Sequence, residues 1–317
     1  MTNKKWLTVM GSFVADLAFR TPELPVWGQT MMGSDFRLGP GGKGSNQAVA
    51  AARLLNNITS SGVRVSFISK LGLDPFGDLA RNTYKNESID TQFCFDTADH
   101  PTGAASIVVH ETKGENAIVV VPGACFHLTT EEIDRATKLI SDSSIFLTQL
   151  EVPVAIVEHG LKIAKSANVP TILNPAPATK LPNSIYPLCD YITPNETEAA
   201  MLTGRSVEGI ADAELAANRF LELGVKNVVI TLGAQGALVK NSKVTIHVPS
   251  FNAGPVLETT GAGDAFNGAF AVALSEGMDI VQATRFGCAA AGISVTRYGT
   301  APSMAKRFEV DTLLLKK

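Results

Sequence analysis

The stretch Ile145-Phe-Leu-Thr-Gln-Leu-Glu-Val-Pro-Val-Ala-Ile-Val-Glu-His-Gly-Leu-Lys-Ile-Ala-Lys-Ser-Ala-Asn-Val-Pro-Thr-Ile-Leu173 holds two short apolar runs, Ile145 to Thr148 and Thr171 to Leu173. An amphipathic run, Pro153 to Ser166, lies between them. Strand, helix and strand in that order predict a parallel pair joined by a crossover helix. The rhythm extends both ways. Trp6 to Met10, Val65 to Ile68, Tyr191 to Thr193 and Val228 to Thr231 read as further strands. Asn46 to Leu55, Phe76 to Asn86, Glu131 to Ser141, Ala211 to Leu223 and Asp264 to Ser275 read as helices, the third opened by a capping box from Thr129 to Glu132. The pattern predicts an α/β fold whose mostly parallel central sheet carries helices on both faces. Two stretches break the rhythm, 13–36 and 91–121. In the second, Ala105 to Val109 and Ala117 to Val121 flank the turn-forming Lys113-Gly114-Glu115-Asn116, the pattern of a β-hairpin. Both stretches are expected to form a small sheet standing off the main layer, a lid or dimer surface. No repeat, biased linker or charge block marks a second domain within 1–317.

Composition narrows the function. Of 317 residues 45% are hydrophobic and 18% charged, which excludes a disordered chain. The net charge of −3 gives no strong field to draw the protein to nucleic acid or an anionic membrane, so a small neutral or phosphorylated ligand is expected. Cys94, Cys125, Cys189 and Cys288 lie far apart and form no CxxC pair, consistent with reduced thiols in a cytoplasmic protein. No apolar run reaches the roughly 18 residues of a membrane span.

Two constellations carry chemistry. The first, Leu38-Gly-Pro-Gly-Gly-Lys-Gly-Ser-Asn-Gln47, contains a GxGxxG, yet it does not follow the first strand directly and Lys43 interrupts it, against a nicotinamide-dinucleotide site. A Walker loop fails because Gly44 follows Lys43. What remains is a side-chain-free backbone opening onto a helix, with Lys43 and Asn46 as convergent donors suited to a polyhydroxylated ligand. The second is Glu258-Thr-Thr-Gly-Ala-Gly-Asp264-Ala-Phe-Asn-Gly268. Gly261 and Gly263 let N–H groups converge on an anion at a helix N-terminus, with the Asp264 carboxylate beside them. Phosphoryl transfer to an alcohol needs that pair, one part for the charge on phosphorus and the other for the hydroxyl proton. The alternative is that Asp264 only caps the helix.

In the order and spacing of these motifs the chain resembles the PfkB carbohydrate kinase family over nearly its whole length. Further matches are Gly11-Ser12 with Asp16, Gly72-Leu-Asp-Pro-Phe-Gly77, Gln149-Leu150-Glu151, Thr193-Pro-Asn-Glu-Thr-Glu198, and Thr296-Arg-Tyr-Gly299 with Ser303. The resemblance implies a ribokinase-like three-layer sandwich with a protruding β-sheet lid, a single kinase domain over 1–317. It implies transfer of the γ-phosphoryl of ATP to the primary hydroxyl of a small sugar, ribose first; the protruding hairpins, for their part, suggest a homodimer formed through lid strands. By position, Asp16, Gly42, Lys43, Asn46 and Glu151 would hold sugar hydroxyls. Asp264 would be the base, and Gly261, Ala262 and Gly263 the anion hole. Asn195 and Glu198 would place Mg²⁺ through water beside the nucleotide phosphates, and Thr231, Gly233 and Gly236 would line the nucleotide pocket. A monovalent cation, K⁺, would sit among Glu258, Thr260, Ser294, Arg297, Gly299 and Ser303, with Glu258 where the family usually has Asp.

Val14 stands where ribose-specific members of the family commonly have Asn. Residues two apart in an extended segment share a side, so Val14 and Asp16 are both expected to face the sugar. Losing a hydroxyl-binding amide there would let 2-deoxyribose compete with ribose. Two other classes are open at this stage, a nicotinamide-dependent oxidoreductase using Gly39 to Gly44, and a sugar-binding protein without turnover.

Overall fold

The computed structural model describes residues 6–55, 62–112 and 116–316. In chain order the elements are β1 (Trp6–Met10), β2 (Val14–Thr21), β3 (Asp35–Gly41), α1 (Lys43–Leu55), β4 (Arg64–Gly72), α2 (Pro75–Asn86), β5 (Asp90–Thr97), β6 (Thr102–His110) and β7 (Asn116–Gly123). There follow α3 (Thr130–Arg135), α4 (Thr137–Ser141), β8 (Ser143–Thr148), α5 (Val154–Ser166), β9 (Thr171–Leu173), β10 (Tyr191–Ile192), α6 (Glu196–Thr203), α7 (Ile210–Glu222) and β11 (Asn227–Thr231). The last are β12 (Ala237–Asn241), β13 (Thr245–Val248), α8 (Ala262–Ser275), α9 (Ile280–Ser294) and α10 (Arg307–Leu315).

Nine strands form the main sheet in the order β13-β12-β11-β10-β9-β8-β1-β4-β5. From β11 to β5 every pair is parallel; β12 and β13 close one edge antiparallel. The period of two along each buried strand sends alternate side chains to two different hydrophobic clusters. Leu7, Val9, Phe67, Leu147 and Val229 pack on one face with side chains of α1, α8 and α9. Met10, Ile68, Phe146, Val228 and Ile230 pack on the other with side chains of α5 and α7. The result is three layers, as the alternation in the sequence predicts.

The small sheet has the order β3-β2-β6-β7, with β2 and β6 parallel and the outer pairs antiparallel. Its membership corrects the sequence reading at two places. Asp90–Thr97 is not part of it but the edge strand of the main sheet, paired parallel with β4, so within 91–121 the small sheet begins only at Thr102. In the other direction β3 runs past residue 36 to Gly41, directly into α1. The hairpin is present as β6 and β7, but Lys113, Gly114 and Glu115 of its expected turn lie outside the described residues.

The helix expected over Glu131 to Ser141 is two helices, broken at Ala136, whose φ of −89° and ψ of 1° leave the helical region. The capping box is formed as predicted. Helix α1 begins at Lys43, three residues before the expected Asn46. No local side chain caps it; instead the carboxylate of Glu151, 108 residues away, accepts the Lys43 N–H at 2.8 Å. Among the described residues no helix is long and apolar enough to cross a membrane, and the four cysteines are free thiols.

Candidate active site

The two glycine motifs meet at the N-termini of α1 and α8. Gly42 precedes α1 with a φ of 84°, and a Cβ there would stand 2.6 Å from the Val14 nitrogen, so a side chain is barred by both conformation and space. Helix α8 packs on α1 through Gly268, where a Cβ would come within 2.6 Å of Ala50 Cβ and 2.7 Å of the Gln47 carbonyl. That close approach brings Asp264, in the first turn of α8, against the first turn of α1. Asn46 Nδ2 donates to its Oδ2 at 2.9 Å and Gln47 Nε2 to its Oδ1 at 2.9 Å. Asp264 is therefore more than a helix cap. Burial pushes its carboxyl above the ordinary carboxylate range, against the opposing pull of Lys43, Asn46 and Gln47.

A cavity of about 140 Å³ opens in front of this carboxylate. Of the residues expected from the sequence, Lys43, Asn195, Glu198, Thr231, Gly261, Gly263 and Asp264 line it. Gly261, with φ of 83°, turns the chain into α8, and Gly263 lies in the first turn, where N–H groups have no intrahelical acceptor. Ala262 is partly spent, its N–H reaching the Thr259 carbonyl at 3.2 Å. Lys43, expected among the sugar hydroxyls, lines this cavity. Burial alone would favour its neutral amine, but the charges of Asp264, Glu151 and Glu198 outweigh it and hold the ammonium. Asn195 and Glu198 form a reciprocal cap on α6, Asn195 Oδ1 accepting from the Glu198 N–H at 2.8 Å and Glu198 Oε2 from the Asn195 N–H at 2.9 Å. Burial raises the Glu198 carboxyl as well, opposed by the Asn195 N–H and Lys43.

The remaining polyol-binding candidates lie toward the small sheet. Asp16 on β2 accepts from Thr300 Oγ1 at 2.9 Å, and burial, with Glu151, Asp264 and Glu258 around it, lifts its carboxyl to about 6. Glu151 also accepts a hydrogen bond from Ser12, which ties the first strand loop to the end of β8. Asn46 Oδ1 is buried with no partner among the described residues, an acceptor aimed at a donor the protein does not supply. Val14 is buried and belongs to neither main hydrophobic cluster, whereas its neighbour Ala15 joins the core, so Val14 shares the Asp16 side of β2 as its alternation predicts. Gly233 and Gly236 flank a short turn after β11 and do not line the cavity.

Around the expected cation position, Glu258 Oε2 accepts from the Gly299 N–H at 2.9 Å. Ser294 and Ser303 turn their hydroxyls to the Ala291 and Thr300 carbonyls, at 2.9 and 2.7 Å, and Arg297 pairs with Glu309. Thr260 is half-buried beside the anion hole.

Sequence reading missed Gln47, Gln149, Asn174, Thr193, Asn267 and Thr300. All are buried, and all but Thr300 belong to one hydrogen-bonded set that includes Asp264. Three follow the ends of parallel strands, where ligands gather in α/β folds; Gln149 and Thr193 open segments matched to the family, but the roles drawn from those segments fell on Glu151, Asn195 and Glu198 instead.

The profile of the pfkB family carbohydrate kinases matches residues 4–307. A ribokinase of Haemophilus influenzae is 41% identical over 306 residues, covering 96% of this chain and 97% of its own. A deoxyribokinase of Salmonella typhi is 35% identical, covering 94% of both chains. The solved structure of Arabidopsis thaliana ribokinase complexed with ribose and ATP superimposes with a TM-score of 0.91 at 32% identity, covering 99% of each chain.

The raised Asp16 carboxyl fixes a sign for stability. Its folded value of about 6 exceeds the unfolded value near 3.9, so the folded state binds the proton more tightly, and the stability this lends is lost as pH rises through 6. Asp16→Asn removes the cost of the buried charge and keeps an acceptor for Thr300. Its melting temperature is expected to exceed wild type by about 2–6 °C at pH 7.5, with the gap closing by pH 4.5. A variant no more stable than wild type at pH 7.5 would refute the strain assigned to this carboxylate.

Proposed function

Because the chain belongs to the pfkB family of carbohydrate kinases, we propose that it moves the γ-phosphoryl group of ATP to the primary hydroxyl of ribose. The observation that carries this reading is the buried Asp264 carboxylate beside the open N–H groups that begin α8. The sugar oxygen bonds to the γ-phosphorus, the bond from phosphorus to the β-phosphate oxygen breaks with its electron pair leaving on ADP, and the hydroxyl proton passes to Asp264. The Gly263 N–H, the helix dipole and the Lys43 ammonium face the charge on the transferring group. Asp16 is an acceptor for another sugar hydroxyl, Asn46 stays on Asp264, and Thr231 and the turn at Gly233 and Gly236 lead to the nucleotide.

The donor set fits a magnesium ion held through water. Glu198 is a buried carboxylate lining the cavity, yet both its oxygens already bind Asn195, so water rather than direct ligation is what it can offer. Bound there with ATP, Mg²⁺ neutralises charge on the phosphates. For potassium, Glu258 with the carbonyls of the 297–303 loop is the proposed holder, next to the anion hole. The whole chain then acts as one kinase domain, with the small sheet as its lid.

In an ADP-release assay, Asp264→Asn should lower kcat by about 10² to 10⁴-fold with sugar affinity retained, and wild-type turnover should be higher in KCl than in NaCl at matched ionic strength. Near wild-type turnover of the variant would reject the base; equal rates in the two salts would reject the cation site.

Val14 favours a second sugar. An apolar side chain beside Asp16 leaves a hydroxyl unserved, at about 1–3 kcal/mol, so 2-deoxyribose should compete with ribose. Val14→Asn is expected to raise the ratio of kcat/KM for ribose over 2-deoxyribose, and an unchanged ratio would show that this position does not read the sugar.

The lid also supports a homodimer. Phe19, Phe36, Leu38, Val119 and Val121 lie on one side of the small sheet by register and are all exposed in the single chain. Light scattering should give twice the chain mass for wild type and a shift toward the monomer for Phe36→Asp; a wild-type monomer at micromolar concentration would contradict it.

A further inference from the structure

The two oxygens of Asp264 are held by adjacent residues of α1 that differ in freedom. Asn46 has an unpaired Oδ1, so its amide can turn end for end. Gln47 cannot turn. The Thr193 backbone carbonyl only accepts, and it takes the Asn174 Nδ2 donor at 3.0 Å. Asn174 Oδ1 must then accept, and it does so from Gln47 Nε2 at 3.0 Å. Gln47 Oε1 is left to accept, and Gln149 Nε2 fills it at 2.6 Å. One backbone carbonyl thus fixes every amide in turn, and Gln47 Nε2 meets Asp264 Oδ1 as a donor. The set continues through Thr193 Oγ1 to Asn267 Oδ1 at 2.6 Å and from Asn267 Nδ2 to the Gly263 carbonyl at 2.8 Å, which ties it to the anion-hole backbone.

We propose that Gln47 is a positioning residue that reserves Oδ1 of Asp264 as the unprotonated oxygen, so that the sugar proton is taken on Oδ2, the oxygen facing the reversible Asn46 amide. As the sugar oxygen bonds to phosphorus and ADP departs with the electron pair of the broken bond, the proton moves to Oδ2 and Asn46 turns its Oδ1 to accept it. The proposal deepens the kinase reading and rests on Asp264 being the base.

The charged groups around Asp264 are Lys43 on α1, Asp16 on β2, Glu151 after β8 and Glu198 on α6. None of them bonds Gln47, whose amide reaches only Asp264, Asn174 and Gln149. An acid limb that moves when the Gln47 N–H is removed therefore reports Asp264. Gln47→Met keeps length and volume and loses the donor. At saturating substrates its kcat at pH 7 should fall by about 10- to 100-fold, and the acid limb of kcat should move up by about one pH unit, because the lost N–H had favoured the ionised carboxylate. The sugar KM should stay within about twofold, since Gln47 does not line the cavity. A residue that only fills space between α1 and α8 would leave kcat and the limb where they were, and that result overturns the proposal. Should Gln47→Met not fold, Gln149→Met, one bond further from Asp264, should lower kcat by about three- to tenfold with the same upward limb, and wild-type behaviour there overturns it equally. Asp264→Asn in the same panel separates the two readings. If it is inactive while the Gln47 variant matches wild type, the base stands and only this inference falls; if it turns over normally, both fall.

Discussion

A buried carboxylate with one amide donor on each oxygen is the contact on which the site depends. An ionised group out of water is costly unless its lone pairs are filled, and the fillers of Asp264 come from the neighbouring helix rather than its own. The N-termini of α1 and α8 must therefore lie side by side. Only a glycine at 268 lets the helices approach that far. Once they do, Lys43 of α1 and the Gly263 backbone of α8 face one cavity with the Asp264 carboxylate beside them, an arrangement suited to an anionic ligand.

The same constraint accounts for the electrostatics. Asp16, Glu198 and Asp264 are all raised by burial, and Lys43 is held charged among carboxylates, so the site carries unfavourable charge that a purely structural core would not retain. Burial cost at these positions is offset by the two hydrophobic clusters on either side of the sheet. The polar residues following β8, β9 and β10, namely Gln149, Asn174 and Thr193, then line up at the strand ends and orient the donors toward Asp264.

What the sequence disclosed and what it withheld divide along sequence separation. Six strands of the main sheet, β1, β4, β8, β9, β10 and β11, and the residues of both glycine motifs are local patterns readable to within a few residues, whereas the antiparallel edge strands β12 and β13 were not read at all. Asp264 stood out in the sequence because the glycines beside it, Gly261 and Gly263, are contiguous with it. Gln47, one residue after Asn46 and four after Lys43, passed unnoticed because its partners Asn174 and Gln149 lie more than 100 residues away. The early start of α1 was hidden for the same reason, its cap being Glu151. Asp90–Thr97 was assigned to the wrong sheet because a strand's alternation records that one face is buried, not which neighbour it pairs with. Thr300, the partner of Asp16, comes from 284 residues downstream and carries no motif.

The most direct measurement is a crystal structure of the chain with ribose and a non-hydrolysable ATP analogue. The primary hydroxyl oxygen of the sugar is expected at about 2.6–3.2 Å from Asp264 Oδ2, with the γ-phosphate analogue against the Gly263 N–H and Gln47 still donating to Oδ1. A sugar bound with its primary hydroxyl directed away from Asp264, or a phosphate outside the cavity that begins at α8, would contradict this placement.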